Sequence, residues 1–326
     1  MIERVGWIDV HHHSYHPQLV TLLRECGVTQ MAPGVPLPTW RPADSFRVMD
    51  RNGLSAAVLS VLLPDLALQD RRAAELVRRS NEWSAELVQE HAGRLGAFAV
   101  LPLPDIDTAL AEITYAFDVL DMDGVVMSAS LADGRLLGDP GLNPVFEELN
   151  RRRAVVFIHP NPSYHCSCTG NPDLGFAVPP PLVDFVMDTT RAVADLLFRG
   201  TLRRYHELRF ILAHAGGAIP YLASRLELAA TWVLAGNRHA DRKIVRAELS
   251  RLYFETAQAA GPGTLACLWE VAGKGHILFG TDFPFMKDAV VAATRRGVEE
   301  YRGASIAAIA SIGRDNALEL FPRLRI

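Results

Sequence analysis

The sequence predicts a (β/α)8 barrel, and three observations carry that prediction. Eight short apolar runs alternate with longer amphipathic ones along a chain of 326 residues, a length that suits such a barrel. Several of the runs end in a histidine or an aspartate, at the strand ends where a barrel keeps its active site. The first run leads into His11-His12-His13-Ser14, not into the glycine-rich phosphate turn that an open doubly wound sheet would want.

Taken in order, the strands are expected at residues 5–10, 56–60, 95–100, 124–127, 155–159, 210–214, 252–255 and 277–280. The helices between them are expected at 42–52, 70–91, 107–120, 143–152, 182–205, 219–234, 263–272 and 288–301, with one or two closing helices over 306–320. Two loops are long, 29–41 and 160–181, and loops of that length on a barrel usually close the active site or meet a second subunit. No linker, repeat or low-complexity tract divides the chain, so residues 1–326 are expected to form a single barrel domain.

Composition narrows the function. The chain is 49% hydrophobic and 21% charged with a formal net charge of -4, as an ordinary globular protein is. Its arginines are scattered, which argues against nucleic acid as a partner. No apolar run is long enough for a membrane span or a signal peptide, so no membrane is expected. Four cysteines make no disulfide framework and point to a reducing cytoplasm.

The chemistry starts at His11-His12-His13. A strand alternates its side chains, so His11 and His13 share a face, about 7 Å apart, and can converge on one metal ion. His12 is expected to point the other way and to be dispensable for the metal. A surface cluster or a tag remnant is the competing reading, but a tag would be longer and would not interrupt a strand. Later runs add ligands of the same kind. Ile158-His159-Pro160 ends the fifth strand, Ala213-His214-Ala215 the sixth, and Thr281-Asp282-Phe283 the eighth. Imidazole and carboxylate without thiolate favour Zn²⁺ or Mn²⁺.

These motifs carry a resemblance. Asp9-Val10-His11-x-His13, Met49-Asp50-x-x-Gly53 with Val58-Leu59-Ser60, Ile158-His159-Pro160, Ala213-His214-Ala215-Gly216-Gly217 and Gly280-Thr281-Asp282-Phe283-Pro284 together resemble the amidohydrolase superfamily. The branch is the one typified by aminocarboxymuconate semialdehyde decarboxylase, and the match covers nearly the whole chain. Within it, Pro38-Thr39-Trp40 and Asp188-Thr189-Thr190-Arg191-Ala192-Val193-Ala194-Asp195 are most similar to the 6-methylsalicylate decarboxylases.

The resemblance implies one divalent metal, Zn²⁺ or Mn²⁺, held by His11, His13, His159 and Asp282, with His214 beside it as an acid/base or water-orienting group. It also implies a homodimer. Binuclear relatives bridge two metals with a lysine or glutamate at the end of strand four. Here that strand ends Val125-Val126-Met127-Ser128, and no lysine precedes Lys243. One metal is therefore expected.

The expected activity is metal-dependent, non-oxidative decarboxylation of a small aromatic acid of the 2-hydroxybenzoate type, or of an enoic acid. Asp282, with His214, is the expected proton donor. The alternative is a hydrolase or hydratase that activates water for ester, lactone or amide cleavage with the same ligands. A metal-binding scaffold without activity is a third reading, and intact candidates at all five positions argue against it.

Other residues are candidates on position alone. Arg41, in the first long loop, either pairs with a substrate carboxylate or is a solvated charge at a helix start, and both readings stand. Tyr15, Asn161, Ser163 and Phe285 lie one or two steps beyond ligand positions and are expected to line the pocket. His165, Cys166 and Cys168 are expected to do the same, since two cysteines one residue apart lack the second pair of a zinc site. Glu255 ends strand seven, where it can serve as a hydrogen-bond acceptor for a ligand. Cys26, Cys267, His91, His206, His239 and His276 are assigned no chemistry.

Overall fold

In the computed structural model, the described residues are 6–32, 34–65, 72–161, 179–232, 234, 236–273 and 275–325, the side chains of 230–232 excepted. Eight parallel strands lie in chain order around one sheet. They are β1 (Trp7–His13), β2 (Leu54–Ser60), β3 (Leu95–Val100), β4 (Gly124–Ser128), β5 (Val155–His159), β6 (Arg209–Leu212), β7 (Tyr253–Glu255) and β8 (Ile277–Leu278). The ring closes just beyond β8. The Val10 N–H donates to the Phe279 carbonyl at 3.0 Å, the Asp282 N–H to the His11 carbonyl at 2.8 Å, and the His13 N–H to the Phe283 carbonyl at 2.6 Å. With helices between its strands, the chain folds as a (β/α)8 barrel.

Phe98 on β3 and Phe157 on β5 stack at 5.4 Å although β4 separates their strands. Only side chains inside the ring can meet across an intervening strand, so these rings fill the barrel interior. Phe321, fully buried near the C-terminus, meets Phe98 edge-on at 5.7 Å. His11 sits edge-on to Phe157 at 4.9 Å, so the polar residues at the strand ends rest on an aromatic floor.

The elements depart from expectation in several places. First, β1 runs through His13 instead of ending at Val10, because its pairing with β2 continues to the rung His13–Ser60. Two helices add to those expected, Pro17–Glu25 and Arg242–Ser250, both only nine residues long. Pro17 sits in the first turn and the His16 ring accepts from the Gln18 N–H at the cap. Asp241 caps the other, its carboxylate accepting from two backbone N–H groups. The helix expected over 182–205 is broken into Asp184–Phe198 and Thr201–Arg204 by Gly200, whose φ of 74° no helix accepts. Within the first long loop, Gln30–Ala32 pairs with Val35–Pro36 in a small antiparallel hairpin. Among the described residues, no helix is long and apolar enough to cross a membrane.

Candidate metal centre

Strict alternation along β1 would put Asp9 on the same face as His11 and His13. A register shift alters this: Asp9 pairs with Ala57 and His12 with Leu59, so β1 holds one extra residue against β2. His11 and His13 still share the interior face, as expected. Asp9 turns with His12 instead, and its Oδ2 lies 2.8 Å from His12 Nδ1.

The His11 and His13 Nε2 atoms are 2.9 Å apart. Oδ1 of Asp282 is 3.4 Å from the first and 3.1 Å from the second. Donor atoms about 2.1 Å from one ion, at 90–110° to each other, stand roughly 3.0–3.4 Å apart, so these spacings fit ligands of a single cation. Each histidine has its other nitrogen committed to the protein. His11 Nδ1–H donates to Glu255 Oε1 at 3.0 Å, His13 Nδ1–H to Ser60 Oγ at 2.8 Å, and His159 Nδ1–H to the Pro160 carbonyl at 2.8 Å. That leaves three Nε2 lone pairs, and the His159 one is buried without a hydrogen-bond partner. Among the described residues, His11, His159, His214 and Asp282 offer ligand atoms all within 4.8 Å of one another. Orphaned lone pairs beside a carboxylate are the donor set a divalent cation requires.

Glu255, completely buried at the end of β7, is the acceptor its position suggested. Beyond His11 it takes the backbone N–H of His214 and, at 2.6 Å, that of Ala257. A methyl group at Gly280 would overlap the Glu255 carboxylate, which is why β8 leads into a glycine here. The chain is bent sharply at these strand ends: His214, Ala215, Gln258 and Asp282 hold φ between 52° and 62°. Left-handed backbone at non-glycine residues costs about 1–3 kcal/mol each and gathers where side chains must be aimed.

Charge follows from this packing. Burial alone would lower the His11 pKa, but Glu255 and Asp282 raise it to about 10. His13, where burial outweighs the pull of Asp282, falls to about 4, and His159, buried among histidines, lies well below its ordinary value. Burial would raise both carboxylates, yet His11 holds Glu255 below its ordinary range and holds Asp282 far below it. In the metal-free protein a proton on His11 thus stands in for the cation.

Above the cluster lies a cavity of about 340 Å³, walled by Met31, Val35, Leu62, Phe185, Phe285 and Met286. Its polar lining comes from His159, His214, Gln258 and Asp282. Met31, Ala32, Gly34, Val35, Pro36 and Pro38 of the first long loop supply part of the wall, and Pro181 of the second contributes at its far end. Phe285 therefore lines the pocket as expected, and its ring meets His13 at 5.2 Å. Tyr15 is buried one layer out, against Phe285 at 5.8 Å, with burial pushing its phenol above the ordinary range. Asn161 is buried to one side, bonded to Asp188, Asp65 and the Ser130 carbonyl.

Arg41 is not brought to the pocket. It is the N-cap residue of the helix Pro42–Arg51, its side chain exposed and its N–H donating to Asp44 at 3.0 Å. Of its two readings, the geometry is that of the solvated charge at a helix start. Ser163, His165, Cys166 and Cys168 lie outside the described residues. Gln258 escaped the sequence analysis, yet its Nε2 donates to Asp282 Oδ2 at 2.7 Å. Its only signal in the sequence was its place three residues past Glu255.

Barrel, strand-end histidines and aspartate together define a metal-dependent enzyme of the amidohydrolase type. The chain belongs to that family: the amidohydrolase family model matches residues 8–323. It is 35% identical over 328 residues to a 6-methylsalicylic acid decarboxylase of Aspergillus aculeatus, covering 98% of this chain and 96% of the relative. It is 29% identical over 289 residues to a gamma-resorcylate decarboxylase of Rhizobium sp., covering 85% of each chain. In fold it matches a dihydroxybenzoic acid decarboxylase of Polaromonas, solved with manganese and 2-nitroresorcinol, at a TM-score of 0.81 and 24% identity over 98% of both chains. The protein is a decarboxylase of the amidohydrolase superfamily.

Proposed function

We propose that the substrate is a 2-hydroxybenzoate-type acid, 6-methylsalicylate or a near analogue, and that His11, His13, His159 and Asp282 hold one Zn²⁺ or Mn²⁺. The observation that carries this reading is that His11 Nε2, His13 Nε2 and Asp282 Oδ1 lie within 3.4 Å of one another, with the buried, unpartnered Nε2 of His159 in the same cluster beneath an apolar cavity. The relative most similar in sequence among those above is named for 6-methylsalicylic acid. When bound, the cation supplies Lewis-acid polarisation and a template for the carboxylate and its ortho hydroxyl.

The rest falls to the chain. Non-oxidative loss of CO2 from an arene needs a proton delivered to the ring carbon, so that the electrons of the breaking C–C bond return to the ring. Asp282 Oδ2 faces the cavity, 3.5 Å from His214 Nε2 and 2.7 Å from Gln258 Nε2. Because Asp282 is held ionised, the proton reaches Oδ2 only once substrate is seated, from the phenol or from His214. The apolar wall, with Phe285 against one face, packs the ring and keeps bulk water from competing for that proton.

A homodimer in the cytoplasm is the setting we assign. Leu182, Val183, Met187 and Tyr221 are exposed apolar side chains, Tyr221 80% so, and a second copy would cover them. Incubating protein loaded with Zn²⁺ or Mn²⁺ with 6-methylsalicylate should release CO2 and 3-methylphenol in equal amounts. No release from any 2-hydroxybenzoate, together with hydrolysis of an ester or lactone, would overturn the reading.

A further inference from the structure

We propose that His12 is a positioning residue that ties the cavity-walling hairpin to the ligands His11 and Asp282, through a buried chain of hydrogen bonds running from Trp40 to Asp9. The inference rests on the metal centre as read above. Asp9, His12, Ser45 and Trp40 are all buried. His12 Nδ1 lies 2.8 Å from Asp9 Oδ2 and its Nε2 lies 2.8 Å from Ser45 Oγ. Trp40 Nε1 donates to the same Ser45 oxygen at 2.9 Å.

Both ends fix the direction of the chain. An indole N–H can only donate and a carboxylate accepts. Trp40 therefore donates to Ser45, Ser45 to His12 Nε2, and His12 Nδ1–H to Asp9. Asp9 then distributes the restraint. Its Oδ1 accepts from the His11 N–H at 3.1 Å and the Thr281 N–H at 3.0 Å, and its Oδ2 also accepts from the Thr281 hydroxyl at 2.5 Å. One carboxylate thus holds the backbone of one ligand and of the residue next to another. At the far end, Trp40 follows the loop whose Met31, Val35, Pro36 and Pro38 help wall the cavity. None of the four residues lines that cavity, so their role is to position. Removing His12 would take one of two donors from Asp9 Oδ2 and leave the buried Ser45 hydroxyl without its acceptor, and an unpaired buried polar group is costly. On this reading His12 matters to the site, contrary to the expectation drawn from strand alternation.

Two amides divide the histidine. The Asn side-chain nitrogen occupies the place of Nδ1 and keeps the Asp9 bond alone; the Gln side-chain terminus occupies the place of Nε2 and keeps the Ser45 bond alone. Metal-depleted proteins would be titrated with Mn²⁺, reading free ion by its paramagnetic resonance, and amide exchange in residues 30–36 followed by mass spectrometry with and without Mn²⁺. In the unaltered protein Mn²⁺ should slow exchange in the hairpin. His12→Asn should bind Mn²⁺ within about threefold of the unaltered protein, since its ligand restraints survive, but lose the slowing. His12→Gln should bind Mn²⁺ about 10–100-fold more weakly. Ser45→Ala, a mild change on a helix, should keep Mn²⁺ affinity, lose the slowing and raise KM more than it lowers kcat. Equal Mn²⁺ affinity in the two His12 variants, or a hairpin still slowed by Mn²⁺ in Ser45→Ala, overturns the relay. A protein that takes up no Mn²⁺ at all overturns the metal reading, and the relay with it.

Discussion

Gln258 Nε2 lies 2.7 Å from Oδ2 of Asp282, the carboxylate oxygen turned away from the His13 nitrogen that Oδ1 meets at 3.1 Å. The two oxygens of one aspartate thus face different neighbours, one toward the proposed metal ligands and one toward the cavity. Gln258→Leu removes the amide that holds Oδ2 and leaves Oδ1 in place. Metal content should be unchanged while kcat falls roughly 10–100-fold, as for a lost partner that orients a reacting side chain. A variant that loses its metal would show that Gln258 serves the ligand set and not the reacting oxygen.

On the proposed reading, Asp282 and His214 divide the proton transfer. A carboxylate bound to a divalent cation favours its ionised form and is a poor acid until substrate displaces that contact. Asp282→Asn should retain metal and substrate binding but lose decarboxylation by several orders of magnitude. His214→Ala should fall less far if it only orients the carboxylate. Deuterium from D2O should appear at the former carboxyl position of the product. Turnover by Asp282→Asn near the original rate places the donor elsewhere.

Glu255 accepts from three donors at once: the His11 ring, the His214 N–H and the Ala257 N–H. Glu255→Gln replaces one acceptor oxygen with an NH2 that must confront a donor. Metal affinity should drop about 10–100-fold, the usual cost of losing a partner that orients a ligand. Calorimetric titration with Zn²⁺ measures it, and an unchanged affinity would remove Glu255 from the centre.

Binding of the cation should be pH-dependent. His11 holds its proton up to about pH 10 in the metal-free protein and must shed it to offer Nε2. Below that pH, protons compete with metal, so affinity should rise about tenfold per pH unit between pH 6 and 8, with one proton released per ion. Titrations in buffers of different ionisation enthalpy count that proton. Zero release would mean that His11 is already neutral or is not a ligand.

The alternation of apolar and amphipathic runs was enough to determine the barrel, because strand and helix periodicities are local properties of the chain. The residue types at the strand ends determined the site equally locally: a barrel brings every strand end to one rim, so His11, His13, His159, His214 and Asp282 had to meet. Tertiary structure alone decided what stands behind them. The extra residue in β1 moves Asp9 from the ligand face to the His12 face, and no alternation rule reveals a bulge that depends on pairing with β2. Arg41 stands at a helix cap, exposed and outside the pocket lining, because Pro42 and Asp44 start a helix there. Gln258 reached Asp282 only because β7 and β8 are neighbours in the closed ring. Periodicity fixes which way a side chain leaves its own strand; what it meets is set by strands and helices far away in sequence, and those contacts exist only once the ring has closed.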